Sequence, residues 1–193
     1  NPLARSPTDT DPNPPTHNGC VEPDTLVAVD YALHRRVPAE ALLRIVDQMR
    51  GYRGIQRAAW AVAHGEPRTE SPLESLGRLA FIEEGLSVPL SNAWVDDGHT
   101  AYRADHLDPR AGVVLEGDGA HKYNNRPDAH KIIASRDARD RWFRGHGYGI
   151  EHYDFATARY DRPRIIQLYR EAVLNRPDCP VPGNWSLARP AWL

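Results

Sequence analysis

The run Val113-Val114-Leu115 passes directly into Glu116-Gly117-Asp118-Gly119, and this restricts the fold more than any other stretch of the chain. Successive side chains of a strand point to opposite faces of a sheet, so three apolar residues in a row predict a strand covered on both sides. Such a strand belongs in the middle of a sheet that carries helices on each face. Glu116 then ends a central strand, where an unpaired charge is costly to bury and a metal would relieve that cost.

The flanking segments supply the rest of an α/β domain. Ser71-Pro72-Leu73-Glu74 opens a helix with Leu76, Leu79, Ala80 and Ile82 on its apolar side and Gly85 as its stop. Strand-like runs follow at 91–95, 100–107 and 112–116, the first two joined by the turn Asp96-Asp97-Gly98. A helix over 128–146, a strand at 148–153 and a helix over 162–174 complete the pattern. Residues 67–175 are therefore expected to form one α/β domain, a mixed sheet flanked by helices. Upstream, 1–22 is polar and proline-rich and reads as a linker or disordered lead-in. The region 23–66 reads as three short amphipathic helices. It is expected to pack as a separate small array with Leu33, Leu42, Ile45 and Val46 buried, and to supply no metal ligand. Residues 176–193 form a second proline-rich stretch, a tail.

Charge narrows the options less. The 193 residues carry 24 Lys and Arg against 26 Asp and Glu, a formal net charge of −2. Phosphate neutralisation supplies most non-specific nucleic-acid affinity, so any such contact must come from a local patch. Cys20 and Cys179 give neither a disulfide framework nor a metal-ligand spacing. No apolar run approaches the roughly 20 residues of a membrane span, and no secretory signal is present. The expected setting is the cytoplasm, with no membrane partner. The chain opens on Asn1 and reads as a fragment or a processed product.

Candidate chemistry concentrates between Arg103 and His121. Asp105 lies late in one strand and Glu116 ends its neighbour, which brings the carboxylates to about 5 Å, the inter-strand spacing. Two such groups suit a hard divalent cation, Mg2+ or Mn2+, that keeps several waters. Such an ion polarises a phosphodiester and lowers the pKa of bound water. The plainer reading treats the acids as solvated strand ends and Gly117-Asp118-Gly119 as a turn composition. Glu74 likewise has two readings, the third helical position of a capping box opened by Ser71, with Arg78 as its surface partner, or a metal ligand. Arg136, Arg139, Arg141 and Arg144, beside Lys131, form either a solvated face paired with Asp137 and Asp140 or a phosphate-contacting face. His121 and His130 are candidates for phosphate contact or proton transfer.

These residues carry a resemblance. Glu70-Ser71-Pro72-Leu73-Glu74-Ser75 with Arg78, Gly85-Leu86, Pro89, Arg103-x-Asp105, Val114-Leu115-Glu116-Gly117-Asp118-Gly119, His121, Arg139-Asp140 and Gly147-Tyr148 stand in a familiar order. The chain resembles the very-short-patch-repair-endonuclease-like C-terminal domain of actinobacterial AbiEi-antitoxin-like proteins, within the PD-(D/E)xK superfamily. The likeness spans residues 21–174, with 25–64 similar to the middle segment of the same proteins. It implies a restriction-endonuclease-like fold and Mg2+- or Mn2+-dependent hydrolysis of DNA phosphodiester bonds. The implied catalytic set is Glu74, Asp105, Glu116, Asp118, His121 and Lys122. Asp105, Glu116 and Asp118 would ligate the metal, and Arg103, Lys131, Arg136 and Arg139 would contact DNA. A toxin or accessory protein is the further partner the resemblance implies.

Three departures accompany it. Asp118 stands where the superfamily has a lysine, so Lys122 or Lys131 substitutes or the role is absent. Glu151-His152 stands where such proteins often carry an arginine, and the winged helix-turn-helix module expected at the front is missing, which fits the reading as a fragment. Two other expectations follow. One is a nuclease-like fold without catalysis that serves as a DNA-binding or antitoxin regulator. The other is a protein-interaction module in which the acidic cluster is structural.

Overall fold

The strands form where apolar runs are bounded by turn residues. In the computed structural model, which describes residues 22–119, 129–179 and 184–193 (for 129–132 the backbone only), β1 (Leu90–Asp96) and β2 (Ala101–Asp108) make a hairpin. Its turn is tied by Asp97 N–H to the Thr100 carbonyl at 3.1 Å, and Gly98 takes the φ of 87° that a glycine adopts without steric cost. β3 (Val113–Asp118) pairs antiparallel with β2, and β4 (Gly149–Asp154) pairs parallel with β3. A two-residue strand from the tail, β5 (Trp185–Ser186), adds to the free edge of β1 and gives the order β4-β3-β2-β1-β5. The sheet is mixed, as expected; β5 has no counterpart in the sequence reading.

Helices cover both faces. On one side α4 (Pro72–Glu83), α6 (Phe155–Tyr160) and α7 (Arg162–Leu174) close a core of Leu76, Phe81, Ile165 and Ile166 over Val113, Leu115 and Tyr153. On the other, α5 (Ala129–Gly145) brings Phe143 against Leu107, Val114 and Ile150. Val113 and Leu115 thus go to one core and Val114 to the other, which is why the strand shows no alternation. The short α6 was not anticipated. It is capped by the Asp154 carboxylate, which accepts from Thr157 N–H at 2.8 Å.

The upstream helices are α1 (Pro23–His34), α2 (Ala39–Gln48) and α3 (Ile55–Ala63). The expected burial here does not hold. Leu33, Leu42 and Val46 are half-buried and Ile45 is 51% exposed, whereas Leu26, Asp30 and Ala61 are buried. The reason is that α1 turns its covered side toward α4. Arg78 of α4 donates from Nη1 to Asp30 Oδ2 at 2.8 Å and from Nη2 to the His64 carbonyl at 2.7 Å. Asp30 Oδ1 also accepts the Glu66 N–H at 2.8 Å. Arg78 therefore partners Asp30, 48 residues away, rather than Glu74. Among the described residues no helix is long and apolar enough to cross a membrane.

Candidate functional site

The start of α4 is fixed by local chemistry. Ser71 takes extended backbone, its Oγ accepts the Glu74 N–H at 3.2 Å, and the same hydroxyl donates to Glu74 Oε1 at 2.7 Å. Glu74 Oε2 accepts from Glu70 N–H at 2.9 Å and from Asn92 Nδ2 at 2.6 Å. Both oxygens of this buried carboxylate are thus occupied, in a variant of the capping box in which Glu74 reaches the N–H one residue before the cap and also holds Asn92. Burial raises the Glu74 pKa above the usual carboxylate value; the Asp105 charge adds to the shift, while the bonds from Glu70, Ser71 and Asn92 oppose it.

A strand irregularity places Asp105. The β1–β2 ladder runs Leu90↔Leu107 and Ser91↔His106, skips Asn92 and Asp105, and resumes at Ala93↔Ala104. At the skip Asn92 has a φ of 52°, in the left-handed region that asparagine tolerates better than most residues. The interruption resets the alternation, so Ala93, Ala104 and Leu107 share the core beneath α5 with Leu90 packed against it. Asn92 is turned instead toward α4, where its amide holds Glu74 Oε2 and the Arg68 carbonyl, the latter at 2.7 Å. The β2–β3 ladder ends at His106↔Leu115, and one further step of that register sets Asp105 opposite Glu116. There the strands part, and Asp105 Oδ2 accepts the Gly117 N–H at 2.9 Å.

Cations from α5 meet the acids of β3. Arg139 Nη2 forms an ion pair with Glu116 Oε2, and Arg136 Nη1 lies 2.7 Å from Asp118 Oδ2. Glu116 is only 3% exposed, and its Oε1 is buried with no hydrogen-bond partner among the described residues. Burial pushes the Arg139 pKa below its ordinary value, against the opposing pull of Asp105 and Asp140, so this guanidinium faces both candidate ligands. On β4, His152 stands beside Glu116 in the parallel register. Its Nε2 lies 3.0 Å from Asp140 Oδ2 of α5, and its Nδ1 lies 3.3 Å from Asp118 Oδ2 without hydrogen-bond alignment.

The structure therefore sets Asp105 opposite Glu116 where the β2–β3 ladder stops, with Asp118 two residues further along β3 and the Glu74 carboxylate close enough to Asp105 to feel its charge. Arg103 makes a bidentate pair with Glu70 at 2.6 and 2.7 Å, beside the α4 cap. His121 and Lys122 lie outside the described residues, as does the side chain of Lys131. Among the described residues no group of three or more His, Cys, Asp or Glu side chains is arranged to hold a metal ion. The residues missed in sequence are Asn92 and His152. Asparagine inside a strand pattern, where it is depleted, was a usable signal for the first. His152 stood out in sequence only as part of the Glu151-His152 departure, with no role attached, because its partners come from α5 and β3. Comparison with protein families, curated proteins and solved structures finds no match for this chain.

Proposed function

We propose that the protein is a metal-dependent endonuclease that hydrolyses DNA phosphodiester bonds at the Asp105–Glu116 pair. The observation that carries this reading is Glu116 Oε1, a buried carboxylate oxygen without a hydrogen-bond partner among the described residues, at the point where β2 and β3 part. A buried charged oxygen without a partner is costly, and a cation is the group that relieves it. The donor chemistry fits a hydrated Mg2+ or Mn2+, which binds through one or two carboxylates and keeps its remaining waters. When bound, such an ion supplies charge stabilisation at the phosphoryl oxygens and acidifies water. Asp105 and Glu116 would hold it. Glu74, neutralised more readily than an ordinary glutamate and held by Ser71 and Asn92, shapes the wall of the site rather than ligating.

The test is cleavage of plasmid and single-stranded DNA with Mn2+ or Mg2+, alongside a melting curve with and without the ion. Occupied at a hundredfold excess over its dissociation constant, the ion stabilises the fold by about 2.7 kcal/mol. The expected result is metal-dependent cleavage and a metal-dependent rise in Tm, both lost in Glu116→Ala and Asp105→Ala. No shift and no cleavage in the folded protein defeats the reading. A second reading, a nuclease-like fold without catalysis that binds DNA or a toxin as a regulator, is favoured by the arginines. Arg136 and Arg139 already neutralise Asp118 and Glu116. DNA binding without metal-dependent cleavage would select it.

A further inference from the structure

We infer that Arg139 is the resident counter-ion of the proposed metal position, and that it exchanges with a divalent cation on Glu116, turning outward as the cation binds. The inference rests on the function proposed above. Its starting point is the asymmetry of Glu116, which has one oxygen in an ion pair with Arg139 and the other buried without a hydrogen-bond partner among the described residues. In a low-dielectric interior a half-satisfied carboxylate is poorly placed, so a cation that engages both oxygens competes well with one that engages a single oxygen.

The two partners of the ion pair differ in freedom. Glu116 is on β3, an interior strand packed on both faces, and its side chain is 4% exposed. Arg139 reaches across from α5 on a flexible stem, and its side chain is 29% exposed, so it has a route to solvent. A divalent cation and this guanidinium repel each other at short range, so a cation that takes Glu116 weakens the hold of Arg139 on it. Arg139 is the group able to leave. Once turned outward it presents a planar fork of donors beside the site, and a phosphate oxygen is the acceptor such a fork binds best. Cation binding and phosphodiester binding are then linked, each favouring the other by the same factor.

Two measurements test the exchange. In the first, Mn2+ alone is titrated calorimetrically into the full chain and into Arg139→Gln, and the variant is expected to bind about tenfold more tightly. In the second, the unmodified chain is labelled with phenylglyoxal and read by mass spectrometry. Arg139 is expected to react faster with Mn2+ present, while the exposed Arg170, paired with Glu84, is unchanged. Equal or weaker Mn2+ binding by Arg139→Gln, or unaltered Arg139 labelling in the unmodified chain, overturns the exchange and leaves the metal site standing. No Mn2+ binding by either chain overturns the proposed function, and the inference with it.

Discussion

Gly77 and His106 meet in the interior behind the candidate site. A Cβ on Gly77 would come within 2.1 Å of Tyr153 Oη and 2.7 Å of His106 Nε2. Helix propensity alone favours alanine over glycine by about 1 kcal/mol, but the collision with two buried ring groups outweighs it. Gly77→Ala is expected to lower stability by about 1–3 kcal/mol in urea denaturation, the usual range for overpacking. Gly145→Ala, where nothing lies within 4 Å, is expected to leave stability unchanged or raise it. His106 itself is buried, with Nε2 2.7 Å from Tyr153 Oη, and that hydroxyl donates to the Leu73 carbonyl at 3.3 Å. This arrangement assigns the proton to Nε2 and leaves Nδ1 without a hydrogen-bond partner among the described residues. Burial, helped by the Arg78 charge, pushes its pKa down to about 3 from the ordinary 6.5. The unfolded chain therefore binds a proton that the folded chain refuses. The contribution of neutral His106 is complete above pH 6.5 and is lost as pH falls toward 3, at up to about 1.4 kcal/mol per pH unit. Urea titrations from pH 7 to 4 should give a shallower acid limb for His106→Gln than for the unmodified chain. Parallel limbs would refute the assignment.

At the level of elements, what was legible in the sequence was what short-range chemistry decides. Ser71, Pro72 and Glu74 announced the start of α4 because capping is settled within one turn. Asp105 and Glu116 were placed on adjacent strands because a hairpin and an apolar strand leave few alternatives. What escaped depends on the crossover from β3 through α5 to β4. Only that crossover sets Arg139 against Glu116 and His152 against Asp140. The upstream helices escaped for the same reason, since their periodicity marks an apolar stripe without naming the helix that covers it. Here the bond between α1 and α4 is the Asp30–Arg78 pair, with side chains 1% and 7% exposed. Removing one partner strands a charge in the interior, so Asp30→Ala is expected to cost about 3–5 kcal/mol. Replacing both, as Asp30→Leu with Arg78→Leu, should cost far less, because the desolvation penalty disappears with the pair. Equal losses for the single and double variants would show that the hydrogen bonds to His64 and Glu66, not the charges, join the helices.

Across the whole molecule, the sheet divides two cores, and its edges decide whether the fold stays to itself. β4 forms one edge of the sheet, while the outer side of β1 pairs with the tail: Trp94↔Ser186, Val95↔Trp185 and the Asp96 N–H on the Asn184 carbonyl at 3.1 Å. An uncovered strand of seven residues is a template for pairing with another chain. Deleting 184–193 exposes that edge and also withdraws Trp185 from the cleft it lines with Phe81, Leu86 and Leu107. The two effects separate experimentally. Trp185→Ala keeps the backbone pairing and removes a side chain that is 40% exposed, so it should lower stability by about 1–2 kcal/mol without altering association. The deletion should lower stability by at least as much and add concentration-dependent self-association through β1. Light scattering during size-exclusion chromatography over a concentration series measures this. If the shortened chain keeps one mass at every concentration, the free edge of β1 is protected by something other than the tail, and the role assigned to β5 is wrong.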